Sequence, residues 1–231
     1  MDLIHEIKPL SIIFYILDIF PGIALYSDFK KRSKVTDDIW LNRIEDIMFF
    51  ETDPHLSQEM ILAFGERLRM DYYEHLPGFV DGIELIDKEE FYEMHADFLS
   101  RLAMTFTHGD YATIEGIKEK ENIAERLYKK ALSYHPDYRA YLGLGIIAQK
   151  RRAYRESARI LSKGIVCFPD SEPLNICLGI SFMNLGEYAR ALSSFLKFQD
   201  SQEAHYYIAQ CYHALGEFEK ESAILKKVDS L

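Results

Sequence analysis

The spacing of apolar positions changes along this chain. Ile12-Ile13-Phe14-Tyr15-Ile16-Leu17 is an unbroken β-branched and aromatic run, the composition of a buried strand over residues 11–17. Over 38–50 and 55–76 the spacing becomes helical. Ile39, Trp40, Ile44, Ile47 and Met48, then Leu56, Met60, Ile61, Phe64 and Leu68, recur at steps of one helical face. Asp53-Pro54 opens the second of these helices, and Leu76-Pro77-Gly78 with Asp81-Gly82 breaks the chain after it. A further helix over 88–107 begins with Asp87 and Glu90 spaced as a capping box. These apolar residues read as core.

From Tyr141 the helical pattern repeats itself. One copy carries Tyr141, Leu144-Gly145, Tyr154, Leu161 and Pro169; the next carries Asn175, Leu178-Gly179, Gly186, Tyr188, Ala191 and Phe195, with Leu-Gly and Tyr displaced by 34 residues. A third copy, His205, Ile208-Ala209, Gly216 and Phe218, follows 30 residues later. Such a period resembles the tetratricopeptide repeat, two antiparallel helices that bury their apolar stripes only by stacking on neighbours. The small residues Gly145, Gly179 and Ala209 admit the second helix of each pair. Tyr154, Tyr188 and Phe218 open the second helices and plug the space between hairpins. Gly186 and Gly216 fit turns that need positive φ, and Pro136 and Pro169 end the second helices.

The register has irregularities. Four residues are missing between Phe195 and Gln202, so that second helix is expected to be about one turn short. Upstream, His108-Gly109-Asp110-Tyr111 resembles another hinge, and Ala124, Tyr128, Ala131 and Pro136 the end of a second helix, with surplus residues between that include Lys118-Glu119-Lys120-Glu121. This predicts an over-long helix over 111–135, partnered by 88–107. Beyond Val228 only Asp229-Ser230-Leu231 remain, so the final face with Ile224, Leu225 and Val228 is expected to be covered by self-association. The expected fold is all-α: a solenoid of helical hairpins over 87–231 (units 87–137, 138–171, 172–201 and 202–231), preceded by a helical adaptor over 36–86 and a strand-like segment within 1–35.

Composition narrows the function. Apolar residues make up 48% and aromatic residues 13% of the 231 positions, enough for a packed core. A formal net charge of −10 argues against a nucleic-acid backbone as partner. The basic cluster Lys150-Arg151-Arg152 falls at a helix C-terminus, where cations complement the dipole. Cys167, Cys177 and Cys211, odd in number and widely spaced, suit buried free thiols in a reducing cytosol. Asp71, Glu74 and His75 share a helical face at metal-ligand spacing, yet no second ligand pair accompanies them; a solvated face is the reading, and no metal or catalytic residue is assigned. The apolar stretch from Leu10 to Tyr26 is interrupted by Asp18 and Pro21-Gly22, and Met-Asp-Leu-Ile-His-Glu lacks a basic signal region. The expectation is a cytoplasmic protein with no membrane segment.

The N-terminal residues carry a second resemblance. Phe20, Pro21, Gly22, Leu25 and Tyr26, after the strand-like run and before Asp37-Asp38-Ile39-Trp40, resemble the tail of radical S-adenosylmethionine enzymes with an upstream cobalamin-binding domain. That family commonly has Phe-Pro-Gly-Thr-x-Leu-Tyr after its last barrel strand; here Ile23 replaces the threonine. The resemblance covers roughly 8–45. It implies a chain that is the C-terminal part, companion or remnant of such an enzyme. The Cys-x-x-x-Cys-x-x-Cys that would hold a [4Fe–4S] cluster is absent from the sequence, so this chain performs no radical chemistry alone. Cluster and S-adenosylmethionine are expected only with an upstream barrel.

The tetratricopeptide resemblance implies a partner face. Positions 2, 5, 9, 12 and 13 of each unit in that family usually line a concave groove. Carried over, they are Arg139, Leu142, Ile146, Gln149 and Lys150, then Ile176, Ile180, Met183 and Asn184, then Glu203, Tyr206, Gln210 and His213. Chaperone-binding relatives place lysine and asparagine there to clamp a C-terminal carboxylate. Here Leu142, Ile176 and Tyr206 stand at fifth positions and Ile146, Ile180 and Gln210 at ninth, so the clamp is missing. The expectation is a non-catalytic interaction module whose apolar groove holds a protein or peptide, either a separate partner, its own N-terminal region or a radical S-adenosylmethionine barrel.

Overall fold

A computed structural model describes residues 2–42 and 45–228. The chain divides into two compact units, one comprising 1–83 with 116–118 and the other 84–115 with 119–231. Among the described residues, no helix is long and apolar enough to cross a membrane.

The first unit is built around one long helix. Its elements are α1 (Asp2–Ile7), β1 (Asp18–Ile19), α2 (Ala24–Ser33), a 3-10 turn over Asp37–Asn42, β2 (Ile47–Met48), α3 (Phe49–Thr52) and α4 (Gln58–Asp81). β1 and β2 pair antiparallel, with Asp18 opposite Met48 and Ile19 opposite Ile47. Ile19, Tyr26 and Ile47 form a small core against Ile23, Leu25, Phe29, Ile39, Trp40 and Phe49.

Three expectations change here. The run 11–17 belongs to no strand; the ladder lies just beyond it, and Ile13, Tyr15 and Leu17 are exposed. A two-residue ladder supplies no third strand against which a longer one could pair. The helix expected over 38–50 is instead a 3-10 turn, a strand and one helical turn, because Ile47 is drawn into the ladder and buried opposite Ile19; Ile44 lies outside the described residues. α4 starts at Gln58, with the Ser57 side chain accepting from the Met60 N–H, and runs through Pro77 to Asp81 instead of stopping at Leu76. Leu76, Phe79 and Val80 are buried, and that burial outweighs one missing hydrogen bond.

The second unit stacks helices in antiparallel order: α5 (Tyr92–Thr107), α6 (Asp110–Thr113), α7 (Lys120–Tyr134), α8 (Tyr138–Lys150), α9 (Tyr154–Cys167), α10 (Glu172–Asn184), α11 (Tyr188–Phe195), α12 (Gln202–Ala214) and α13 (Phe218–Val228). Residues 89–91 form a 3-10 turn before α5, and Asp87 accepts from the Tyr92 hydroxyl at 2.7 Å instead of capping the helix. The over-long helix expected over 111–135 is broken: α6 is a single turn, a loop follows, and α7 begins at Lys120 after Glu119 at φ +52°. The loop residues Gly116–Lys118 group with the first unit, where Gly116 meets Met70 and Tyr73. Surplus residues thus leave the helix as a loop.

The repeats follow their sequence signature. Second helices begin at Tyr154, Tyr188 and Phe218, while Gly186 and Gly216 have φ of +75° and +77°. α11 spans 8 residues and continues as a 3-10 turn over Leu196–Phe198, against 14 residues in α9, a shortening of about one turn as expected. A Cβ on Gly145 would lie 2.6 Å from Leu161 Cδ2, and one on Gly179 would overlap the Phe195 ring, so both glycines set the helix–helix approach. Leu161, Leu174, Phe195, Ala204, Ile208 and Cys211 form the continuous core beneath. Phe218 is exposed, its ring meeting His213 edge to face instead of being buried between hairpins. The side chain of Val228 and residues 229–231 lie outside the described structure, as does the expectation attached to them.

Candidate functional site

The residues carried onto the partner face separate into three groups. Tyr206, at 62% exposure, with Ile146, Gln210, Glu203, Lys150, Asn184 and His213, is open to solvent. Leu142, Ile180 and Met183 are half-buried and pack on the repeat core.

The third group is committed to the fold. Ile176 is 4% exposed inside α10, a helix buried nearly all round, so it lines no accessible surface. Gln149 is spent between hairpins: its Nε2 donates to the Cys177 carbonyl and to Ser181 Oγ, each at 2.8 Å, and its Oε1 accepts from Cys177 Sγ. Ser181 continues to Ser157 Oγ, which donates to the Gly145 carbonyl at 2.9 Å. Arg139 lies over the Tyr138 ring and donates to Asp97 at 2.9 Å and Asp137 at 3.2 Å. Hydrogen bonding to Arg101, together with the nearby Arg139 charge, holds the Asp97 carboxyl below its ordinary range. Of the apolar positions carried over, Leu142, Ile146, Ile180, Met183 and Tyr206 are therefore the ones left incompletely buried.

Two structural features escaped the sequence. Asn175 and His205 occupy equivalent places, and each ties its helix to a carbonyl six residues back: Asn175 Nδ2 donates to Pro169 O at 3.1 Å, and His205 Nε2 reaches Gln199 O at 2.5 Å. Their shared offset from Leu-Gly and Ile-Ala was the available signal. Arg151 crosses from the end of α8 to Glu121 (2.9 Å), Glu125 (2.6 Å) and Asn122 (3.1 Å) on α7, beyond the dipole role expected of its cluster.

Elsewhere, Cys177 and Cys211 are buried and burial pushes both thiols up to about 11, whereas Cys167 is exposed, contrary to expectation. In the first unit, the motif residues Tyr26, Asp37 and Trp40 come together: Trp40 Nε1 donates to the Tyr26 hydroxyl at 2.8 Å, which donates to Asp37 at 2.6 Å, and Lys30 completes the cluster at 2.8 Å. A cleft of about 610 Å³ lies between the extended residues 13–16 and Ile61, Leu62, Phe64 and Leu68 of α4.

Residues 178–228 match the tetratricopeptide repeat family. The match runs from within α10 to the end of α13, where the Gly hinges and aromatic helix starts recur. No curated protein matches the chain. Among solved structures it is similar to MamA 41-end from Desulfovibrio magneticus RS-1, at 14% identity over 75% of this chain and 93% of that one, with a TM-score of 0.51. A MamA RS-1 ArsTM double mutant is similar at 14% identity over 74% and 92%, with a TM-score of 0.50. At such identity the likeness concerns the fold: an all-α, tetratricopeptide-like stack.

Proposed function

We propose that the second unit is a non-catalytic interaction module that holds an apolar peptide or helix across α8, α10 and α12. The supporting observation is the line of incompletely buried apolar side chains on successive first helices, Leu142 and Ile146, Ile180 and Met183, then Tyr206. Tyr206 supplies a rigid amphipathic contact and Met183 an adaptable one. The lysine–asparagine clamp is absent from the corresponding positions, so the ligand is recognised by apolar side chains in a helix-in-groove or extended mode.

The test is selection from a random peptide library on the purified chain, with an I146D/Y206D variant as comparator. Both positions are exposed enough for substitution without opening the core. Enrichment of apolar peptides that lose at least tenfold in affinity for the variant supports the assignment. Peptides that bind both proteins equally refute it.

A second reading places the first unit beside a radical S-adenosylmethionine barrel, as its tail or companion. It is favoured by the extended run 11–17, which belongs to no strand and exposes Ile13, Tyr15 and Leu17. An adjoining or in-frame reading frame encoding Cys-x-x-x-Cys-x-x-Cys would support it, and a co-purification in which that product fails to bind this chain would refute it.

A further inference from the structure

We infer that His5, Asp71 and His75 form a site for one divalent transition metal ion, which would clasp α1 to α4. The first unit brings one ligand atom from each of these residues within 4.8 Å of the others. His5 Nε2 is 3.0 Å from Asp71 Oδ2, across 66 residues of sequence. The His5 and His75 rings meet edge to face with centroids 4.4 Å apart. Tetrahedral ligand atoms at zinc–ligand distances near 2.1 Å are separated by roughly 3.4 Å, so small side-chain rotations suffice to close the set.

The tautomers suit a metal. His75 Nδ1 lies 2.8 Å from the Asp71 carbonyl oxygen; donating there leaves the Nε2 lone pair free, the arrangement by which a second hydrogen bond orients a ligating imidazole. His5 presents Nε2, with the proton of the neutral ring then on Nδ1. Two imidazoles and one carboxylate favour zinc, nickel or copper over magnesium or calcium. Side-chain exposures of 36% for His5 and 34% for Asp71 leave room for water as fourth ligand.

A separate observation points the same way. α1 has six residues and buries none of them; Leu3 and Ile7 are 65% and 63% exposed. Among the described residues, the contact of His5 with Asp71 is the only side-chain hydrogen bond that α1 makes. A helix this short lacks the burial that normally seats one, and a shared ion would hold it. Glu74, grouped with Asp71 and His75 on sequence spacing, is exposed and outside the set; His5 takes its place.

Titration of the full chain with zinc, followed by calorimetry, tests the site, with cobalt absorption reporting nitrogen and oxygen ligation. We expect one ion per chain, at least tenfold weaker binding in H5Q and in H75Q, and unchanged binding in H55Q and H135Q. Hydrogen exchange of residues 2–7 should slow on adding zinc in the wild type and not in H75Q, with the helical circular dichroism of each variant unchanged. Absence of saturable binding, wild-type affinity in H5Q or H75Q, or zinc-independent exchange at 2–7 would overturn the inference.

Discussion

Gly145→Ala tests a close helix–helix approach in the repeat. The added carbon would stand 2.6 Å from Leu161 Cδ2 and 2.6 Å from its Cγ, about 1 Å inside an ordinary carbon–carbon contact. Leu161 is fully buried among Ala158, Leu174 and Phe195, so it has nowhere to retreat. Overpacking of this kind costs about 1–3 kcal/mol. Alanine returns about 0.8–1.0 kcal/mol through its helix propensity. Parting the helices also stretches the 2.9 Å bond from Ser157 to the Gly145 carbonyl, worth about 1 kcal/mol. The sum is a net loss of about 1–3 kcal/mol, read as a lower urea midpoint of the signal at 222 nm. Gly78→Ala is the contrast: a Cβ there meets nothing within 4 Å, and propensity alone should raise stability by up to about 1 kcal/mol. Leu161→Ala, which alone costs about 2–5 kcal/mol, should lose less than the sum when combined with Gly145→Ala, since the new methyl fills part of the space. A rise in midpoint for Gly145→Ala, or strict additivity in the double variant, would refute the close approach.

Arg152 sits at φ +58°, where the following repeats have Gly186 and Gly216; Arg152→Gly should stabilise the chain by about 0.5–1 kcal/mol in the same urea assay, and a loss would contradict the strain. With Cys177 and Cys211 raised to about 11 by burial, their thiolates are scarce at pH 8, so a disulfide reagent should modify Cys167 at once and the other two only on unfolding. The Asp37 carboxyl is lowered by hydrogen bonds from Lys30 and then Tyr26, so what it contributes is present above the ordinary carboxylate range and is lost as pH falls through its lowered folded value. Fluorescence of Trp40, the single tryptophan, should change over that acid interval, and Asp37→Asn should abolish the transition.

The repeat was legible because its constraints are local and recur. Gly186 and Gly216 mark turns that need positive φ, Tyr154 and Tyr188 start second helices, and the missing four residues appear as the shortened α11. Each depends on backbone conformation or on packing within one hairpin, so one-dimensional spacing reports it. Composition likewise identified the apolar residues of the repeat core and the absence of a cluster-binding cysteine motif.

What the tertiary structure decided involves partners distant in sequence or a choice between equal local options. Ile47 reads as one face of a helix, yet pairing with Ile19 makes it a strand residue. Ile176 and Gln149 fit the family's groove positions, but α10 is enclosed by its neighbours and draws both inward. Asp71 and His75 share one face of α4, and only the packed chain brings His5, 66 residues away, to 3.0 Å from Asp71. Spacing along a helix specifies which residues share a face; only the packed chain specifies what that face meets, because burial and ligation are properties of several segments at once.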